Sequence, residues 1–213
     1  MKKLFFAVFA LAALSLLAPS TGFTQTAWNQ LGIYADPTGD PASANVSPTI
    51  GDQFTGYLVL TNPVNEFFNG GTGTAVPITA VDGFECNIAF PPSASFFTLS
   101  TVFAANAIDV GVKPDFVVGF SESAPVTGNA VVLVTWTFLA LAPGPHDFFL
   151  DITALPSIPG VMAVVDANDP ENANLQPVYR STNDANVPVF SVTGDNAIAN
   201  ETQTFGGVKS LFR

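Results

Sequence analysis

Apolar and polar positions alternate through most of this chain, and the longest instance is the run at 129–141, NAVVLVTWTFLAL. Alternate positions fall into two sets. Ala130, Val132, Val134, Trp136, Phe138 and Ala140 make a wholly apolar face, and Val131, Leu133, Thr135, Thr137, Leu139 and Leu141 an apolar face with two hydroxyls. Successive side chains of a strand point to opposite sides, so this run is expected to be an interior strand covered over most of both faces. Thr127-Gly128-Asn129 before it and Pro143-Gly144-Pro145 after it are turn chemistry that cuts it to strand length.

The same periodicity places the other strands. Residues 82–91 (DGFECNIAFP) turn Phe84, Cys86, Ile88 and Phe90 inward and Glu85, Asn87 and Ala89 outward. Residues 27–34 make a first strand with Trp28 as a core plug. The strand at 52–62 alternates Phe54, Gly56, Leu58 and Leu60 with Thr55, Tyr57, Val59 and Thr61. Further strands fall at 96–103, at 115–121 and at 146–153, the last burying Phe148, Leu150 and Ile152 and showing Asp147 and Asp151. Shorter ones fall at 161–165, 175–180 and 187–192, where Pro177 and Pro188 assign the last two to sheet edges. The proline-rich stretch 36–48 is loop, and the glycine-rich 69–74 an exposed excursion. Short strands separated by Gly/Pro turns, with no helical apolar stripe after the first residues, predict an all-β fold: an antiparallel β-sandwich, a jelly roll of about nine strands.

The start of the chain follows another pattern. Lys2 and Lys3 precede an apolar run at 4–18 interrupted only by Ser15, and small and polar residues follow to Thr26. That run of about 15 residues is shorter than the roughly 20 a membrane helix needs and suits a signal peptide at 1–26, cleaved after Ser20, Gly22 or Thr26. The expected organisation is therefore a signal peptide at 1–26, a sandwich at 27–194, and a polar linker with a short tail at 195–213. The address is secreted: extracellular, cell-surface or periplasmic. No transmembrane helix is expected in the mature chain.

Without Lys2 and Lys3, four basic residues (Lys113, Arg180, Lys209 and Arg213) face 17 acidic ones, a net charge of −13. That field repels phosphate backbones, so no nucleic-acid partner is expected. Hydrophobic residues are 48% of the chain against 11% charged, and Phe alone numbers 20, so the acidic chain is a folded one. Cys86, the only cysteine, alternates with core positions and is expected to be a buried small hydrophobe.

Four stretches follow one another in a suggestive order: Gly51-Asp52-Gln53-Phe54; Gly83-Phe84-Glu85-Cys86-Asn87-Ile88-Ala89-Phe90-Pro91; Val132-Leu133-Val134-Thr135-Trp136-Thr137-Phe138; and Pro143-Gly144 leading to Phe148-Phe149-Leu150. This order resembles that of cohesin-type and related carbohydrate-binding sandwiches of bacterial surface proteins. The resemblance implies a nine-strand jelly roll and a role in recognition or assembly rather than chemistry. It carries over no site residue.

Catalytic sets are poorly represented. Gly119-Phe120-Ser121-Glu122-Ser123 lacks the second glycine of a nucleophile elbow, and a serine triad would depend on His146, the single histidine, placed in a turn. Asp147 and Asp151 share one face of one strand but stand ~13 Å apart, beyond the ~5–9.5 Å of glycosidase carboxylates. No enzyme is expected. A porin-like barrel fits poorly, because the 129–141 strand is apolar on both faces and a lumen should be polar.

Two candidate sites remain. Tyr34, Tyr57, Phe67, Phe68 and Tyr179, at strand ends, in loops or on the more polar faces, are candidates for stacking on sugar rings. Asp166, Asn168, Asp169 and Glu171, in the oxygen-rich stretch DANDPENAN, are candidate calcium ligands, although the EF-hand register fails at Pro170. No other cofactor is expected. Phe205, Val208, Leu211 and Phe212 lie at helical spacing beside Lys209 and Arg213 and form a candidate sorting or attachment segment. The sequence thus points to an exported, non-catalytic binding or assembly module whose partner is another surface protein or a polysaccharide. The alternative is a structural subunit that self-associates through an edge strand or its tail.

Overall fold

The computed structural model describes residues 28–66, 75–168 and 174–193. The candidate signal peptide, Phe67, Phe68, the 69–74 excursion, Asp169, Glu171 and the tail lie outside these. Fourteen strands occur among the described residues: β1 (Gln30–Tyr34), β2 (Asn45–Val46), β3 (Gln53–Thr61), β4 (Val64–Asn65), β5 (Val76–Pro77), β6 (Ala80–Ala89) and β7 (Phe96–Phe103). The second half holds β8 (Ala107–Asp109), β9 (Asp115–Pro125), β10 (Ala130–Ala140), β11 (His146–Asp151), β12 (Met162–Asp166), β13 (Asn174–Arg180) and β14 (Phe190–Val192).

The chain is an all-β sandwich. One layer is built on β6, which pairs along one edge with β9, itself bordered by β8. The other edge of β6 is shared end to end, its first half by β12 and its second by β11, and β14 and β2 continue outward from β11. The facing layer runs β1-β3-β10-β7. β13 pairs with β12 in the first layer and with β1 in the second, closing that side of the sandwich. On the opposite side, among the described residues, β7 pairs only with β10, and the two layers stay apart.

Several expectations are corrected here. The pairing is not wholly antiparallel: β13 runs parallel to β1, and β14 parallel to β2. Pro177 does not mark an edge, because β13 lies between β12 and β1. It forms its partnership with β1 only at Tyr179 and Arg180, past the proline, so the missing N–H removes no bond there. Pro188 precedes β14 rather than interrupting it.

The central strand is in the predicted place, but its faces change partway. The register with β3 steps from Val132↔Val59 to Val134↔Leu58, leaving Leu133 as an extra residue. Such a bulge reverses which alternate positions face inward. Val131 and Leu133 are therefore buried before it, and Val134, Trp136, Phe138 and Ala140 after it, while Ala130 and Val132 are only half-buried. The core is strongly aromatic. Phe138 packs edge-on against Phe96 at 5.0 Å between ring centroids and lies 5.1 Å from Phe54, and Phe90 meets Trp136 edge-on at 5.6 Å. Rings in such tilted and edge-to-face arrangements gain electrostatic complementarity beyond their burial.

Trp28 is no core plug: it stands 41% exposed just before β1, beside a small hollow lined by Pro63, Pro77 and Ile78. Glu85 was expected to face water and is buried instead. It points away from the core, but the segment after β11 folds over it, and the Ser157 N–H and hydroxyl both donate to its carboxylate, at 2.7 and 2.8 Å. Cys86 is fully buried, as its alternation implied.

Candidate functional site

The open side of the sandwich forms an apolar cleft of about 900 Å³ between β7 and the start of β9. Its walls are the rings of Phe90, Phe96, Phe103, Phe116 and Trp136, with Asp109 and Lys113 at its edge. The sequence creates it directly. Phe90, one residue past β6, and Phe96, the first residue of β7, hold the floor through contacts with Phe138 and Phe148. Among the described residues, no strand pairs with the far side of β7 to roof it.

The surface around the cleft is apolar as well. On β7, Phe97 is 59% exposed and Val102 58% exposed, with Leu99 also exposed. Ile108, Val110 and Val112, in β8 and the segment after it, are exposed too, although they do not line the cleft. An edge strand with unpaired backbone groups and exposed apolar side chains is a template for another chain.

Lys113 organises the rim. Its ammonium pairs with Asp109 and sits 3.2 Å above the centroid of the Phe116 ring. Asp109 Oδ1 also accepts from the backbone N–H of Gly111 at 3.0 Å and of Val117 at 3.2 Å. Partial burial acts to raise the Asp109 carboxyl, but hydrogen bonds from Lys113, Gly111 and Val117 outweigh it and hold the group below the usual carboxylate range. The pair neutralises itself, so a ligand in the cleft meets apolar surface with a cation and an anion already matched.

The sequence-derived candidates do not converge on this cleft. Tyr34 is buried, so it offers no ring to a sugar. The loop after β1 folds back over the outer face of the sheet, and Gly39 packs against Thr61 and Val59 with the Tyr34 ring beside it. Burial pushes the Tyr34 hydroxyl up, with a hydrogen bond to Ser181 acting the other way. Tyr57 lies directly opposite Tyr34 on β3 and is half-buried. Tyr179, 41% exposed, is four β1 positions away, opposite Gln30. Of the five aromatic candidates, Tyr179 is the one the described residues leave open to solvent.

For calcium, the described half of the cluster is occupied by protein donors. Asp166 is fully buried, with Oδ2 accepting from Asn65 Nδ2 at 2.7 Å and Oδ1 from the Asn168 N–H at 2.9 Å. Asn168 Oδ1 accepts from the Thr79 hydroxyl at 2.7 Å. Asp166 thus ties β12 to the β4 ribbon rather than turning outward with Asn168. Among the described residues, no group of three His, Cys, Asp or Glu side chains is placed to hold a metal ion.

The acid and base candidates also have structural partners. Asp147 accepts from the Ser191 hydroxyl at 2.6 Å, Asp151 pairs with Arg180, and His146 Nε2 lies 3.3 Å from the Ala142 carbonyl oxygen of its own turn. No helix among the described residues is long and apolar enough to cross a membrane. The cleft itself was missed in the sequence. Its one signal was 96–112, where Phe97, Leu99, Val102, Ile108, Val110 and Val112 exceed what two short strands bury.

No protein-family model matches the chain, and no curated protein matches it. Among solved structures it is similar to cohesin modules. A cohesin module from a family 33 glycoside hydrolase of Clostridium perfringens shares 11% identity at a TM-score of 0.42, with 72% of this chain and 91% of that one covered. A type I cohesin of Pseudobacteroides cellulosolvens shares 11% at a TM-score of 0.40, covering 71% and 84%. A non-cellulosomal cohesin of Archaeoglobus fulgidus shares 11% at a TM-score of 0.39, covering 71% and 85%. No site residue is transferred from them.

Proposed function

We propose that this protein is an exported, non-catalytic binding or assembly module of the cell surface or extracellular space, and that the cleft beside β7 is its recognition face for another protein. The observation that carries this reading is the apolar cleft lined by Phe90, Phe96, Phe97, Phe103, Phe116 and Trp136 beside β7, a strand that also leaves Leu99 and Val102 exposed. Exposed apolar surface of this extent beside unpaired backbone is costly to leave in water unless a partner covers it. A protein partner fits better than a polysaccharide, because among the described aromatic candidates Tyr34 is buried, Tyr57 is half-buried and Tyr179 alone is open to solvent.

The test is capture of partners from the source cell's surface and secreted fraction, with and without calcium, using the wild type and Phe97→Asp side by side. A protein retained by the wild type and lost by the variant supports the reading. Retention of polysaccharide, unchanged in the variant, overturns it.

A further inference from the structure

The buried carboxylates Glu85 and Asp166 have protein donors, Asp151 and Asp109 have cations, and Cys86 is sealed in the core. The second edge of β7 is the feature left over. Among the described residues β7 pairs with β10 alone. Edge strands are ordinarily guarded by charges, prolines or shortness, and this one has none of the three. It is 8 residues long, FFTLSTVF, and no residue from Cys86 to Ile108 carries a charge.

The strand is also symmetric. Its register with β10 steps from Phe138↔Thr98 to Thr137↔Ser100, leaving Leu99 as an extra residue. The same chemistry runs in opposite order on the two sides of this bulge: Phe96-Phe97-Thr98 leads in, and Thr101-Val102-Phe103 leads out. The bulge keeps the two arms in phase. Thr98 and Thr101 stand opposite the buried Phe138 and Trp136 and line the cleft, whereas Phe97 and Val102 stand opposite Leu139 and Thr135 on the outer face. An antiparallel second copy, related by a two-fold axis through the bulge, therefore sets Thr98 opposite Thr101 and Phe97 opposite Val102, each pair on one face. Thr–Thr and aromatic–β-branched pairs are favourable across strands, and a surface that reads alike in both directions is what a two-fold contact requires.

Charge selects the same occupant. The chain has a formal net charge of −11, and the charged residues lining the cleft, Asp109 and Lys113, are already paired. A cationic partner is drawn to the acidic faces instead, while an uncharged edge is matched by an equally uncharged one. A strand ~26 Å long on a sandwich edge ~20 Å deep covers about 500 Å² per copy, the low end of specific interfaces, which fits dissociation on the order of 10 μM.

We propose that β7 pairs antiparallel with β7 of a second copy about a two-fold axis through the Leu99 bulge, joining the two β1-β3-β10-β7 layers into one sheet across a dimer. This rests on the reading of the β7 face as a recognition face and names its occupant.

The experiment follows the exported protein by sedimentation equilibrium, with circular dichroism of each variant as the check on folding. The mass is expected to rise from one chain to two, and no further, between about 1 and 100 μM. Added sodium chloride should tighten the association, because salt screens repulsion between acidic copies and leaves the pairing of β7 in place. Phe97→Asp and Val102→Lys are each expected to weaken it roughly tenfold or more. An equimolar mixture of the two variants should recover a dimer, since the introduced carboxylate and ammonium meet across the axis. A protein that stays monomeric at the highest concentration, a dimer indifferent to both substitutions, or a mixture no tighter than its components overturns the proposal. So does growth beyond two copies. A monomer that still loses a captured surface protein on Phe97→Asp removes the second copy alone, whereas capture and association both indifferent to Phe97→Asp remove the recognition face as well.

Discussion

Glu85 and Ser157 are joined by two hydrogen bonds, with the backbone N–H and the hydroxyl of one serine donating to the two carboxylate oxygens of a single glutamate. The glutamate lies in mid-β6, and the serine in the segment that leads from β11 to β12. This contact pins a connecting loop over the outer face of the layer and buries a charge that alternation had assigned to water.

Glu85→Ala is expected to destabilise the fold by about 1–3 kcal/mol, because two charge-assisted donors lose their acceptor. Glu85→Gln keeps one acceptor oxygen and should cost less. Urea unfolding followed by Trp fluorescence checks the order; an Ala variant as stable as wild type would show that the loop is held by other contacts.

Gly83 and Gly119 face each other across β6 and β9, and they should respond oppositely to a methyl group. A Cβ on Gly83 would lie 2.5 Å from the Val118 carbonyl oxygen, whereas one on Gly119 meets nothing within 4 Å. Gly83→Ala is expected to cost roughly 1–3 kcal/mol through overpacking against backbone. Gly119→Ala should be neutral or raise stability by up to about 1 kcal/mol, since glycine weakens a strand. Melting temperatures of the two variants decide this.

Cys86 should behave as an inert thiol. Burial pushes it well above the usual thiol range, with the nearby Lys113 charge opposing that only in part. A thiol reagent at pH 8 is expected to label it only as fast as the sandwich opens, so labelling should accelerate with added urea. Rapid stoichiometric labelling of the native protein would contradict its sealed position.

Asp109 predicts an acid limb. Its carboxyl is held below the ordinary value despite partial burial, so its stabilisation is fully present above the unfolded pKa of about 3.9 and is lost as pH falls from there toward the lower folded value. Asp109→Asn should lower the melting temperature at pH 6, and the gap from wild type should narrow below about pH 4. A gap that stays constant down to pH 2 would assign the effect to packing rather than charge. Asp52 and Asp36, also lowered by hydrogen bonds from Thr49 and Thr38, are present in both proteins and cancel in the comparison.

The alternation at 82–91 and 129–141, the proline and glycine turns and the absence of helical stripes were sufficient to identify an all-β sandwich and to locate β3, β6, β7, β10 and β11 within about two residues. These are local properties: a two-residue period and a turn can be read without knowing what lies alongside. Pairing and cover are not local, and there the structure decided. The bulge at Leu133 turned the central strand over, the loop after β1 buried Tyr34, and the segment at 153–160 covered Glu85. In each case a residue's exposure depends on a segment distant in the chain, which periodicity does not encode. The cleft follows the same logic. Phe90, Phe96, Phe116 and Trp136 each fit a core pattern, and it is because no described strand lies beyond β7 that the space between them is an open cleft.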